Sequence, residues 1–225
     1  MSSNDWDSAI IAFSDALREN PRSTLAYEYR GCAYAIKGDF DQAIGDFTKT
    51  IELDPSNGRI YCSRGSCFRA KGQLESALRD VSEALRLCPT NHIAWEERAY
   101  VYIMQGEFES AISDYREALR LDPSSSRAHN NLARLRATCP KAEMRNGKEA
   151  VAEATKACEL TGWTKWNTVD TLAAALAEAG DYVQAVHWQA KGLEMTGAPE
   201  EARADMQKRL VLYEQEQPFR EEPKE

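Results

Sequence analysis

Apolar and polar positions along this chain follow a pattern that returns every 34 residues. Pro21, Pro55, Pro89 and Pro123 stand at equal intervals. Between them apolar residues recur at steps of three and four, the spacing of helices with one buried face. Placing the proline at position 32 of each unit starts the complete units at Thr24, Gly58 and His92. Position 4 is then Tyr27, Tyr61 and Trp95, position 8 is Gly31, Gly65 and Ala99, and position 11 is Tyr34, Phe68 and Tyr102. Position 20 is Ala43, Ala77 and Ala111, position 24 is Phe47, Val81 and Tyr115, and position 27 is Thr50, Ala84 and Ala118. The first set marks one face of a first helix, the second set one face of a second. Small residues at 8 and 20 let the two helices approach, and large ones at 4, 11 and 24 fill the space around them. Glycine at position 15 (Gly38, Gly72, Gly106) supplies the turn as a C-cap, and the proline stops the second helix. One hairpin cannot bury its own apolar face, so neighbours must stack. The predicted fold is all-α, a right-handed solenoid of antiparallel helix hairpins.

The pattern also sets boundaries. Residues 1–23 match only the second helix of a unit, with Ala9, Phe13 and Ala16 in register. The first helix is missing there, so Ile10, Phe13 and Leu17 are expected to present an uncovered apolar face, and homodimerisation through this end stays open. Residues 24–57, 58–91 and 92–125 are complete units. Residues 126–161 form a divergent one: Ala150, Ala154 and Ala157 resume the second helix late, with an insertion between the helices marked by Pro140 and Gly147. Residues 166–197 form a further repeat-like unit. Pro199 opens a capping helix within 198–216, whose Met206, Leu210 and Tyr213 are spaced to cover the last hairpin. Residues 217–225 read as a flexible tail.

Position 7 is Arg30, Arg64 and Arg98, and position 23 is Asp46, Asp80 and Asp114. This predicts a charge-assisted pair inside each hairpin, a structural ladder rather than a ligand-binding row. Charge adds an exclusion. With 28 Lys and Arg against 36 Asp and Glu, a formal net charge of -8, the chain lacks the basic surface that phosphate backbones select, so no nucleic acid is expected. No stretch is long and apolar enough for a membrane span, and the opening MSSNDWDSAI has no leader pattern. The six cysteines form no C-x-x-C pair and read as reduced core residues of a cytoplasmic protein. His92, His129 and His187 share no ligand spacing, and no catalytic or cofactor motif is present. We therefore expect no enzyme activity, no metal and no cofactor, and a core role for His129.

These residues resemble the tetratricopeptide repeat family across nearly the whole chain. The resemblance implies that first helices line a concave groove through positions 2, 5, 6, 9, 12 and 13, where a protein or peptide partner is held. The groove candidates are Tyr29, Arg59, Ser63, Arg69, Glu97, Tyr100, Arg127, Asn130, Asn131 and Arg134. Arginines would grip carboxylates, asparagines an extended backbone, and tyrosines would anchor by stacking. The carboxylate clamp that some family members use for chaperone termini is not expected. Its sites would fall on Glu28, Cys32, Ser63, Ile93 and Glu97, or one unit later on Cys62, Ser66, Glu97, Arg127 and Asn131, and neither set carries the required residues. The expected function is a protein-interaction scaffold. The alternatives are a subunit that self-associates through its amino-terminal helix, or a regulatory fragment of a larger enzyme.

Overall fold

The structure, a computed structural model, describes residues 3–222 and contains helices and no strands among them. It divides into two compact units, Met1–Gln105 and Gly106–Glu225. Unit 1 holds α1 (Ser3–Glu19), α2 (Thr24–Lys37), α3 (Phe40–Leu53), α4 (Gly58–Ala70), α5 (Leu74–Leu87) and α6 (His92–Met104). Unit 2 holds α7 (Phe108–Leu121), α8 (Ser126–Thr138), a 3-10 turn (Ala142–Met144), α9 (Gly147–Leu160), α10 (Trp166–Glu178), α11 (Tyr182–Glu194) and α12 (Glu200–Glu214).

In unit 1 each helix packs on the next, and the first helices α2, α4 and α6 also meet side by side. Local chemistry sets the ends. Ser23 accepts the Ala26 N–H at 3.2 Å, and Asn91 caps α6 through Ile93 and Ala94. Gly38 closes α2 at φ 86°, a left-handed conformation that only glycine adopts cheaply. Position 8 is small for a steric reason. A Cβ on Gly31 would sit 2.9 Å from the Phe47 ring, and one on Gly65 would sit 2.7 Å from Val81.

The charged ladder forms as a three-helix tie. Arg30 donates twice to Asp46, at 2.7 Å each, and once to the Ser14 hydroxyl at 3.0 Å. Arg64 repeats this with Asp80, at 2.7 and 2.9 Å, and with the Thr48 hydroxyl at 3.0 Å. Each hydroxyl in turn donates to the carbonyl four residues back, so no polar atom in the rung is left over. The guanidinium also lies between two rings: Tyr27 and Tyr34 for Arg30, Tyr61 and Phe68 for Arg64. Arg98 has Trp95 and Tyr102 in the same places. Arg98 and Asp114 fall in different units, and their pairing stays an expectation.

The apolar face expected to lie open on α1 is covered. Leu17 is buried, and Phe13 stacks on Tyr29 with ring centroids 5.6 Å apart. The reason is the order of stacking: a second helix packs on the first helix of the following unit, so α2 takes this face. Of the α1 side chains, Ile11 is the large apolar one that is exposed. Nothing in this arrangement supports homodimerisation through α1.

In unit 2 the insertion is a built loop. The Arg136 guanidinium binds Glu149 and the Met144 carbonyl, and Arg145 donates to the Cys139 carbonyl and to Glu178. Gly147 opens α9 against the end of α10, where a Cβ would lie 2.6 Å from the Ala179 nitrogen. The last hairpin replaces the arginine–aspartate rung with a different network. Gln189, at a position held by Phe47 or Val81 elsewhere, is fully buried and donates to Asp170 and to the Met206 carbonyl of α12. Arg209 of α12 completes it with two bonds to Asp170. Met206 and Tyr213 of α12 are buried beneath.

The cysteines are free: Cys62, Cys67, Cys139 and Cys158 are buried and Cys32 half-buried, but Cys88 is exposed. Cys88 departs from the expected core role because it caps α5 at the place where α3 and α7 end in Asp54 and Asp122.

His129 takes the structural role of Trp95. The Trp95 Nε1–H donates to the Pro89 carbonyl at 2.8 Å, and His129 Nε2 makes the corresponding bond to Pro123 at 3.0 Å. Its Nδ1 faces Glu153 at 2.5 Å. Both ring nitrogens therefore face acceptors, which requires both protons. Burial disfavours the imidazolium, but Glu153 and the Pro123 carbonyl outweigh it and hold the His129 pKa above its ordinary value. Because the folded state binds this proton more tightly, the stabilisation is complete below the unfolded value of about 6.5 and is lost as pH rises through the folded one. Thermal melts from about pH 6 to about pH 9 should thus lose stability more steeply in the wild type than in His129→Phe. Parallel slopes would show a neutral imidazole.

Candidate partner-binding site

The sequence candidates fall on the first helices of both units, some exposed and some, Glu97 and Asn130, buried. In unit 1, Tyr29 is 49% exposed above Phe13. Leu25 and Ile36 of α2 and Ile93 of α6 are also exposed. These apolar residues hold positions 2, 6 and 13 of their units. Between α2 and α4 lies a cavity of about 460 Å³, lined among others by Cys32, Ile36, Phe47, Ser63, Cys67 and Arg69. Burial pushes the Cys67 thiol up to about 11, and burial with the nearby Glu28 charge raises Cys32 as well. At neutral pH both remain protonated, so the cavity floor is apolar packing surface and not a thiolate nucleophile.

The arginines are placed differently from the expectation that they wait for a ligand carboxylate. Arg59 pairs with Glu28, whose carboxylate is buried. Arg69 donates to Glu97 at 3.2 Å and lies 4.6 Å over the Tyr100 ring. Ser66 also donates to Glu97, at 3.0 Å. Arg69, Glu97 and Tyr100 thus form one cluster beside the cavity, and Ser63 lines the cavity itself. The acidic partners were in view in the sequence, but their reach was not. Glu28 to Arg59 and Ser66 to Glu97 both span 31 residues, one repeat less three, which is the offset between neighbouring first helices.

In unit 2, Arg127 is exposed, Asn131 is half-buried, and Asn130 is buried with its Oδ1 unpaired. Arg134 faces Glu221 at 3.6 Å. That contact comes from the segment expected to be a flexible tail. Residues 223–225 of it lie outside the described residues, and the described part, 217–222, is tethered to α8, α10 and α12. Among the described residues no group of three metal-ligating side chains is brought together, and no helix is long and apolar enough to cross a membrane.

Comparison with known proteins agrees with this geometry. Models described as tetratricopeptide repeat match residues 25–57 and 58–91, and one described as TPR repeat matches residues 99–137. None of the curated proteins matches the chain. Among solved structures, the type IV pilus biogenesis factor PilW superposes with a TM-score of 0.77 at 19% identity, covering 90% of this chain and 91% of its own. The Cut9-Hcn1 hetero-tetramer of the APC/C gives 0.78 at 18%, covering 92% of this chain but 40% of that one. YrrB, a TPR protein with an unusual peptide-binding site, gives 0.62 at 17%, covering 88% and 98%. At such identities the likeness establishes the fold. The 34-residue register, the stacked hairpins and the matched repeats together make this chain a member of the tetratricopeptide repeat family.

Proposed function

We propose that the chain is an adaptor that holds an extended segment of a partner protein against its first-helix faces, with apolar anchoring on unit 1. The observation that carries this is where unit 1 leaves large apolar side chains exposed. Leu25, Tyr29, Ile36 and Ile93 all stand at first-helix positions that face outward, and among the described residues of unit 1 Ile11 is the remaining one. Exposed apolar side chains that recur at first-helix positions, one of which (Ile36) also lines the cavity, are what a docking surface presents. The buried Glu28 and Glu97 carboxylates, already neutralised by Arg59 and Arg69, fix the rim and leave the anchoring to shape and apolar contact. YrrB, with its unusual peptide-binding site, offers a precedent for this use of the fold.

The test is cross-linked capture from native lysate by the wild type and by a Tyr29→Ala/Ile36→Glu chain, with Ile11→Glu as the control. Proteins captured by the wild type and by the control should be lost with the double variant. Two anchors should cost about 2 kcal/mol together, roughly thirtyfold in affinity. Undiminished capture by the double variant would count against the unit 1 face.

A further inference from the structure

The last described residues lie on the first-helix face of unit 2 in the manner of a ligand. Three consecutive tail side chains meet three different helices. Phe219 sits beneath the Arg209 guanidinium of α12, 5.3 Å from it, and packs on the apolar core of unit 2. Arg220 reaches Glu178 of α10 at 2.5 Å. Glu221 faces Arg134 of α8, and its backbone N–H donates to the Thr138 carbonyl at 2.9 Å. Arg134, Thr138 and Glu178 hold positions 9, 13 and 13 of their units, all of them groove positions. Thr138 ends α8, where the final carbonyls lack intrahelical donors, so an extended backbone finds an acceptor there. Glu178 is also bound by Arg145 at 3.3 Å, which orients its carboxylate independently of the tail.

These contacts are releasable. The Glu221 side chain is 38% exposed and that of Arg134 is 44% exposed, so their pairing adds little stability. A proline-flanked, charged segment has no helix or strand of its own to lose on leaving. Phe219 and Arg220 supply most of the hold, and the tether strengthens it: α12 ends at Glu214, and a short link keeps the tail near the face at an effective concentration in the millimolar range.

We infer that this face accepts an extended segment that reads aromatic, basic, acidic, and that the chain's own Phe219-Arg220-Glu221 is a tethered occupant which a partner segment of the same pattern displaces. This rests on the first-helix faces being the docking surface. It adds the chemistry of the docked segment and a built-in competitor. The competitor sets a threshold, because only a partner that outcompetes the tethered tail gains the face.

The probe is a fluorescein-labelled peptide of residues 214–225, titrated by anisotropy into full-length chains. A Phe219→Ala/Arg220→Glu chain, whose own tail is released, should bind it at least about tenfold tighter than the wild type. Adding Arg134→Glu should abolish the gain, and a probe carrying Glu221→Arg should restore it. Equal binding by wild-type and released chains, absence of binding by both, or binding indifferent to Arg134→Glu each overturns the inference. A mass that grows with concentration in the wild type and is lost on Phe219→Ala would place the tail in a second copy, and would overturn the partner reading. If circular dichroism shows the double variant unfolded, Arg220→Glu alone takes its place under the same criteria. The probe makes no demand on Tyr29 or Ile36, so a failure here and a failure of capture on unit 1 are separate results.

Discussion

Replacing Asp80 with alanine is expected to destabilise the chain by about 3–5 kcal/mol, among the largest losses available to a single side chain here. The Asp80 side chain is 6% exposed and that of Arg64 17%. Removing the carboxylate leaves a guanidinium enclosed by Tyr61, Phe68 and the Thr48 hydroxyl, with its charge uncompensated. The penalty is the desolvation of that stranded charge, not the net worth of the pair. The double change Arg64→Leu/Asp80→Leu removes the charge as well and should recover most of the loss. Urea denaturation of the three chains checks both statements. An Asp80→Ala midpoint close to wild type would mean that water reaches Arg64 and that the rung is superficial. By contrast the exposed Arg86–Glu83 pair, joined by two bonds at 2.7 and 2.8 Å, should be removable with little effect.

This rung shows what the sequence could and could not disclose. Its two ends lie in one hairpin, 16 residues apart, and recur at positions 7 and 23, so the pairing is visible as a repeat. The third member, the Ser14 or Thr48 hydroxyl, lies in the preceding hairpin. Ser82 stands at the equivalent site, and that recurrence at position 25 was the available signal. In the same way Arg59 and Arg69 looked free because each is neutralised by an acid on a neighbouring first helix. Periodicity gives what repeats within a unit. The offset between units depends on how hairpins lean on one another, which no single unit encodes. Gln189 and the tail were less legible still. A polar residue at an aromatic position signals a local network without naming its members, and a short charged segment after a helix carries no period at all.

Gly147 and Gly45 should respond to the same substitution with opposite signs. Gly45 lies inside α3, and a Cβ there would meet nothing within 4 Å. Gly45→Ala should therefore stabilise by about 0.5–1 kcal/mol, by removing the freedom glycine gives the unfolded chain. At Gly147 the added carbon would lie 2.6 and 2.7 Å from the Ala179 nitrogen and Cα, and 2.8 Å from the Glu178 carbonyl carbon. These are backbone atoms, which cannot rotate aside as a long side chain can. Gly147→Ala must push α9 from the end of α10 and should cost about 1–3 kcal/mol, with Gly147→Val costing more. The displaced backbone is that of Ala179 and the carbonyl of Glu178, the residue that holds Arg145 and Arg220. The same change should therefore loosen the tail and raise binding of the 214–225 peptide, which the stability loss alone would not do. Thermal melts and peptide anisotropy on Gly45→Ala and Gly147→Ala separate the two effects. A Gly147→Ala chain as stable as wild type would show that α9 and α10 do not approach this closely.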